Sequence, residues 1–284
     1  MPATRTPLSA DSDTRPAASP LAALQSFVLN RQLIAEMVKR DFTGRYRGSF
    51  LGVAWSLFNP LLMLAIYTFV FSVAFNARWG GGGDDKASFA IVLFAGMIVH
   101  ALLAECLTRA PTLIVSHANY VKKVVFPLEV LPVVVLASAL LHFVVNLLVL
   151  LAACVLFSDG VSLAALWSPI AVLPLVLLAL GTSWMLASLG VYLRDLYQGI
   201  GMIVTVLLFV SPIFYPVEAL PQQYRWIVEL NPLTMPITQL RNVVIWGRGI
   251  DWSEWWLGFA VALAVFCAGF WWFQRSRKGF ADVL

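Results

Sequence analysis

The sequence has few of the residues that make a soluble enzyme or a disulfide-linked secreted domain. Of its 284 residues only 12% are charged, three are cysteine and three are histidine. The cysteines all fall inside apolar runs and form no Cys-x-x-Cys pair, so the sequence predicts neither a disulfide framework nor a metal site. None of the five lysines follows a glycine, which excludes a phosphate-binding P-loop and means that any ATP must be bound by another subunit.

Apolar residues are abundant instead. They make up 60% of the chain, and the mean hydropathy is +0.83. A soluble domain of this composition would expose too much apolar surface. A bilayer core needs roughly 20 apolar residues per helix. Six runs meet that need, so the sequence predicts an all-α membrane protein with spans at 52–76, 88–108, 130–157, 169–193, 197–217 and 253–273.

The basic residues are divided unequally between the two sides of this topology. Of the 19, only Arg78, Lys86, Arg225, Arg241 and Arg248 fall on the side opposite the N terminus. Basic residues favour the cytoplasmic side, so both termini are predicted to be cytoplasmic. The pI near 9.1 then indicates attraction to anionic lipid rather than to nucleic acid, because no basic groove studded with aromatic residues is visible.

The segment before the first span divides into two parts. Residues 1–26 are rich in Ala, Pro, Ser and Thr and predict a disordered cytoplasmic tail with no cleaved signal peptide. Residues 27–48 predict an amphipathic helix at the membrane interface, and an ordinary basic flank is the alternative. Its apolar face consists of Leu33, Ile34, Met37, Val38 and Phe42.

Two further segments are more than plain connections. Residues 109–125 predict a short cytoplasmic helix that could receive force from a docked partner, although a simple basic membrane anchor would give the same pattern. Residues 218–250 are amphipathic and interrupted by three prolines. Backbone of that kind survives at membrane depth only beside protein or water, which favours a re-entrant pair of short helices over an outer loop with an aromatic belt.

Ionisable residues inside the spans are few. Glu105 lies near a span end, and His100 and His142 are typical of helix packing rather than proton transport. No series of carboxylates crosses the membrane, so a proton-driven transporter is disfavoured. No acid–base or metal constellation supports a membrane enzyme that acts on polyprenyl lipids.

Four blocks of residues follow one another along the chain. They are Arg45-Tyr46-Arg47-Gly48-Ser49-Phe50-Leu51-Gly52 with Trp55 and Asn59-Pro60-Leu61; His117 to Pro127 with Glu129 and Pro132; Arg194-Asp195; and Ser211-Pro212-Ile213-Phe214-Tyr215-Pro216 with Asn231-Pro232 and Arg241. In this order they resemble the type-2 ABC exporter permeases, and within them the branch that exports polysaccharides. The similarity covers roughly residues 27–275.

The resemblance implies a homodimeric pore in the bacterial inner membrane, a single transmembrane domain over 27–284, and a cytoplasmic ABC ATPase dimer that binds ATP and Mg. This chain would bind no cofactor. The implied substrate is a polyprenyl-diphosphate-linked polysaccharide, with O-antigen preferred to teichoic acid or capsule polymer. The alternatives are a permease for a drug or small lipid and, more remotely, the membrane enzyme.

The same resemblance implies four groups of site residues. Ser116, His117, Asn119, Tyr120, Lys122 and Lys123 would form the ATPase-coupling helix within 109–125. Arg45 and Arg47 would meet the lipid diphosphate, since arginine suits bidentate phosphate contacts. Trp55, Phe58, Tyr67, Phe71, Phe214 and Tyr215 would line the channel, although helix-packing aromatics would give the same pattern. Tyr224, Trp226, Asn231, Pro232 and Arg241 would form an outer gate at 218–250.

Overall fold

A computed structural model describes residues 20–74, 86–123, 126–158 and 160–284, and all its regular elements there are helices. Single turns of 3-10 helix precede or follow several of them. The α-helices are α1 Pro20–Leu29, α2 Arg31–Tyr46, α3 Trp55–Tyr67, α4 Lys86–Ser116, α5 Ala118–Lys123, α6 Val130–Phe157, α7 Ser168–Tyr192, α8 Leu196–Val210, α9 Arg225–Glu229, α10 Thr234–Val244, α11 Trp252–Ser276 and α12 Phe280–Val283.

Five helical stretches among the described residues are long and apolar enough to cross a membrane. They are Gly52–Phe71, Phe89–Ser116, Val130–Phe157, Leu163–Tyr192 and Trp252–Val283. The multi-pass character predicted from hydropathy is therefore confirmed, whereas the count of six spans stays a prediction.

The predicted span over 197–217 is helical only over α8, which has 15 residues and ends at Val210. At 1.5 Å per residue this helix is about 22 Å long, shorter than the roughly 30 Å hydrocarbon core. It ends there because Ser211 precedes a proline, whose ring disfavours helical backbone at the residue before it. Ser211 has φ −73° and ψ 151°, an extended conformation.

The two ends of the long helices differ in composition. We call the end formed by α2, residues 116–123 and residues 275–278 the basic end. The other end, formed by residues 160–168 and 211–251, is called the opposite end. The sequence predicts that the basic end is cytoplasmic.

The helix α4 lies at the centre of the bundle. In its apolar stretch 78% of the positions are buried, against 6% in the stretch that contains α3. The helices α6, α7, α8 and α10 all pack against α4. As a result α3 lies at the edge of the chain and exposes apolar side chains on several faces.

Glycine permits a close helix crossing between α7 and α11. A Cβ atom on Gly181 would lie 2.6 Å from the Val265 carbonyl oxygen, and one on Gly269 would overlap the Gly181 carbonyl. Small residues of this kind let two backbones approach closely, which is how membrane helices gain packing energy when lipid removes the hydrophobic driving force.

The N-terminal boundaries differ from the sequence prediction. Residues 20–26, predicted as part of a disordered tail, are helical in α1, while residues 1–19 lie outside the described residues. The predicted helix 27–48 is interrupted at Asn30, whose amide side chain donates to the Ser26 carbonyl at 2.8 Å and so satisfies a main-chain acceptor at the end of α1. Within α2 the predicted apolar face is half-buried and Arg31, Glu36, Lys39 and Arg40 are exposed.

The helix predicted at 109–125 is also shorter than expected. Residues 109–116 continue α4 through Pro111, and only α5 forms a separate helix. The break falls at His117, whose Nδ1 lies 2.8 Å from the Leu113 carbonyl oxygen. That contact gives one of the last carbonyls of α4 a side-chain partner in place of a helical N–H.

Candidate functional site

An ion-pair network at the basic end joins α2 to the bundle. The Arg109 guanidinium on α4 donates to both carboxylate oxygens of Asp41, at 3.0 and 2.5 Å. Glu105, one helical turn before Arg109, accepts from Arg45 of α2. The two helices are thus held by two carboxylate–guanidinium pairs whose members lie 60 and 68 residues apart in sequence.

His142 on α6 extends the same network. Its Nδ1 lies 3.1 Å from a Glu105 oxygen, and its Nε2 lies 3.0 Å from the Tyr46 hydroxyl. Phe42 packs beside the imidazole ring at 5.0 Å. Three helices therefore share one polar cluster in an otherwise apolar region.

Burial and charge act in opposite directions on Asp41. Partial burial alone would raise the pKa of its carboxyl, but the hydrogen bond and the positive charge of Arg109 outweigh it, and the pKa lies below the ordinary 3.8. Asp41 is therefore ionised at neutral pH. Burial likewise raises the pKa of Tyr46, which stays a neutral hydroxyl.

The two arginines predicted to meet a lipid diphosphate have different surroundings. Arg45 is engaged by Glu105 and lies 3.6 Å from Asp41, so its guanidinium already has carboxylate partners. Arg47 follows the end of α2 and is exposed. Only Arg47 is placed to meet a phosphate without breaking an ion pair.

A cleft of about 620 Å³ opens at the basic end beside this network, between α2, the end of α4, α5 and the start of α6. Four of the six predicted coupling residues line it. They are Ser116, His117, Asn119 and Tyr120. The cleft is also lined by Arg40, Asp41, Arg45 and Arg109, so it borders the polar network directly.

Aromatic stacking fixes the wall of the cleft that α5 provides. The Tyr120 ring stacks on His117 at 5.6 Å and on Phe126 at 4.6 Å. Lys122 points elsewhere and donates to the Leu284 main-chain oxygen, while the side chain of Lys123 lies outside the described residues. The helix α5 is thus held both by the 126–129 segment and by the C-terminal residues.

A second cluster at the basic end was not predicted as a site. The buried carboxylate of Glu129 accepts from Arg277 at 3.0 Å and from Ser26 at 3.1 Å. Arg277 also donates to the Phe126 carbonyl, and the Trp184 indole donates to the Glu129 carbonyl. Segments from both ends of the described chain are therefore tied to the 126–129 segment beside α5.

Sequence reasoning missed Asp41, Glu105, Arg109 and His142 as a unit. One signal was available, because Glu105 and Arg109 stand four residues apart on one helix face and charges are costly in an apolar span. Their partners on α2 carried no such signal, since Asp41 resembles any polar residue of an amphipathic helix.

At the opposite end, Arg241 is a buried structural residue. Its guanidinium donates to the carbonyls of Val92 at 3.0 Å, Pro212 at 2.6 Å and Ile213 at 3.1 Å. These bonds join α4, α10 and the segment after α8. Gly96 leaves the space for it, because a Cβ there would lie 2.9 Å from Arg241 Nη2.

The other predicted gate residues are separated. Asn231 is buried and donates to the Ser211 hydroxyl at 3.0 Å, so it also holds the segment after α8. Pro232 is exposed, as are Tyr224 and Trp226. The short helices α9 and α10 occupy the predicted gate region, and their action as a gate stays a prediction.

The six predicted channel aromatics lie in separate groups within one chain, and their place along a channel between two copies stays a prediction. Trp55 and Phe58 pack together at 5.2 Å on α3. Phe71 and Phe214 lie 6.1 Å apart, and Phe214 stacks on Phe209. The Tyr215 hydroxyl donates to the carbonyls of Phe209 and Val210, at the end of α8. Tyr67 is half-buried.

Comparison with known proteins shows the family of this chain. The ABC-2 type transporter family matches residues 32–245. An O-antigen export system permease protein RfbA from Klebsiella pneumoniae is 27% identical over 76% of this chain and 81% of the relative. A protein of the same name from Myxococcus xanthus is 25% identical over 89% of this chain and 95% of the relative. Since the family match covers most of the chain, and includes α5 and the network that joins α2, α4 and α6, this multi-pass membrane protein belongs to the ABC-2 type transporter family.

Proposed function

We propose that this chain is the membrane subunit of an ATP-driven exporter that moves polyprenyl-diphosphate-linked O-antigen outward across the bacterial inner membrane. The observation that carries the proposal is its similarity to relatives named as O-antigen export permeases over 76% to 89% of its length. ATP and Mg are bound by a separate cytoplasmic ATPase, for which this chain provides the docking end.

The basic end supplies the docking surface. The cleft brings residues of α5 next to α2, and the Asp41–Arg109 and Arg45–Glu105 pairs connect α2 to α4. The contact of His142 with Glu105 extends this connection to α6. Force applied to α5 or α2 by a closing ATPase dimer would reach the long helices through packed and charged contacts. For force to be transmitted in this way, these contacts must persist while the long helices move.

The translocation path lies between two copies of the chain. The helices α3 and α8 pack on α4 and leave exposed apolar residues such as Phe58, Met63, Met202 and Phe209. A second copy placed against these helices would enclose a path lined partly by aromatic rings, whose apolar faces suit sugar rings. Arg47 is the residue proposed to meet the lipid diphosphate.

The main alternatives differ in substrate. Teichoic acid and capsule polymers share the polyprenyl-linked chemistry, whereas a drug or small lipid would need a closed apolar cavity between the copies rather than a continuous conduit. A polyprenyl-lipid enzyme would purify without an ATPase.

Gentle purification from the native host with mass spectrometry of the bound components tests the proposal. An ABC ATPase present in equal amount and a bound polyprenyl-linked glycan are expected. Glycan composition separates O-antigen from teichoic acid and capsule. A chain that purifies alone in several detergents would contradict the exporter assignment.

A further inference from the structure

A second cavity lies at the opposite end, away from the basic-end cleft. It has a volume of about 430 Å³ and is formed by α7, α11 and the segment that contains α9 and α10. Its walls are mostly apolar and include Leu175, Leu178, Leu257 and Val261. We call it the acidic groove, because its charged lining residues are two carboxylates, Glu229 and Glu254.

The groove has a defined depth relative to the membrane. Glu254 is in the first turn of α11, beside the exposed Trp252 and Trp256. Tryptophan is enriched at headgroup level, which places Glu254 there too. Ala262, at the far end of the groove, is eight residues further along α11, about 12 Å deeper into the hydrocarbon.

The two carboxylates are available to a ligand. Neither forms an ion pair with a residue that the structure describes. Arg225, one turn before Glu229 on α9, donates instead to the carbonyls of Glu218 at 2.9 Å and Leu220 at 3.0 Å. The groove is therefore negative at its mouth and apolar inside.

We propose that the acidic groove binds a phospholipid with a primary amine headgroup, such as phosphatidylethanolamine, with its ammonium at Glu229 and Glu254 and an acyl chain along α11. An ammonium group offers three N–H donors to the two carboxylates. An anionic headgroup such as phosphatidylglycerol would be repelled. The exposed apolar residues Leu230 and Leu257 border the groove and would cover the chain.

Native mass spectrometry of the purified full-length chain in its complex tests the site. The complex is titrated with phosphatidylethanolamine or phosphatidylglycerol of matched acyl chains. We expect the complex to retain about fivefold more of the amine lipid than of the anionic lipid. This ratio corresponds to the free energy of one exposed ion pair. Equal retention of both lipids would overturn the proposal, as would a polyprenyl lipid that occupies the groove and is not displaced.

Two variants separate headgroup from chain recognition. E229Q with E254Q should reduce the fivefold preference to about one while lipid is still retained; E218Q, an exposed acid outside the groove, is the matched control. V261W should abolish retention of both lipids, whereas L263W, on the same helix outside the groove, should not. A preference that survives in E229Q with E254Q would contradict the site. Since no step depends on ATP or glycan, failure here leaves the export assignment intact.

Discussion

At the scale of single residues, the stability of the basic end depends on ion pairs whose two members are both partly shielded from water. Asp41 and Arg109 are both about three-quarters buried, with side-chain exposures of 23% and 30%. Such a pair contributes little in isolation, but loss of Asp41 leaves the partly buried Arg109 with only a longer contact to Glu105, at 3.5 Å.

The substitution D41N should therefore destabilise the chain. It keeps the shape of the side chain and removes the charge that pairs with Arg109, so we expect a loss of about 1–2 kcal/mol, the lower part of the range for hydrogen bonds to charged groups, because the site is partly solvated. Thermal unfolding in detergent measures the change. E36Q, an exposed acid on the same helix, is the control and should have no measurable effect.

The contribution of Asp41 to the stability of the chain should depend on pH. Asp41 has a folded pKa below its ordinary 3.8, so its contribution is complete above about pH 4 and is lost as the pH falls through the folded value. The difference in unfolding temperature between wild type and D41N should shrink below about pH 4. A difference that stays constant as the pH is lowered would contradict the assignment of ionised Asp41 to this pair.

Arg241 makes a larger contribution to the opposite end. R241M removes a buried cation and leaves the carbonyls of Val92, Pro212 and Ile213 without this donor. We expect a loss of about 2–4 kcal/mol, since several charged hydrogen bonds disappear together. Thermal unfolding again measures it, with R248M as the exposed control from the same end. Equal stability of the two variants would show that Arg241 does not hold the segment after α8.

At the scale of elements, the crossing of α7 and α11 requires glycine. G269L would drive a side chain into the Gly181 backbone, so we expect the helices to separate and stability to fall by at least the 1–3 kcal/mol typical of overpacking. G199A, on α8 where a Cβ meets open space, should be tolerated. Yield and unfolding temperature of the purified chain report both effects.

We expect the short helix α5 to contact the ATPase and to couple it to this chain. Replacing Lys122 and Lys123 with glutamate reverses the charge of α5, and we expect the ATPase to be lost from the purified complex while membrane insertion persists. K278E, an exposed lysine at the same end, is the control for total charge. Normal export by the double variant would show that α5 is not the coupling element.

At the scale of the whole molecule, the proposed homodimer would bring the exposed helices α3 and α8 of one copy against a second copy. A cysteine at Met202, which is 72% exposed on α8, should cross-link between copies under mild oxidant once Cys106, Cys154 and Cys267 are replaced. A cysteine at Leu156, equally exposed on α6, should not. Cross-linking at Leu156 and not at Met202 would show that the copies meet through α6 rather than α8, and would contradict the proposed arrangement of the two copies.

Much of the architecture follows from neighbouring residues alone. Apolar runs of about 20 residues predict six spans, and five of these coincide with helical stretches long and apolar enough to cross a membrane. The apolar spacing of α2 predicts its half-buried face. The predicted span 197–217 differs from the structure at Ser211-Pro212. The apolar run continues past this point, but the residue before a proline disfavours helical backbone, and α8 ends there.

The membrane class, the distribution of basic charge and the order of the helices follow from the amino-acid sequence, because each depends on residues close together in the chain. Three features become visible only in the folded chain: Arg45 pairs with Glu105, Arg241 is buried among carbonyls, and α5 borders a cleft with α2. The partners in the first pair are 60 residues apart. Their contact depends on how α2 packs against α4, and no local pattern of charge or hydropathy specifies that packing.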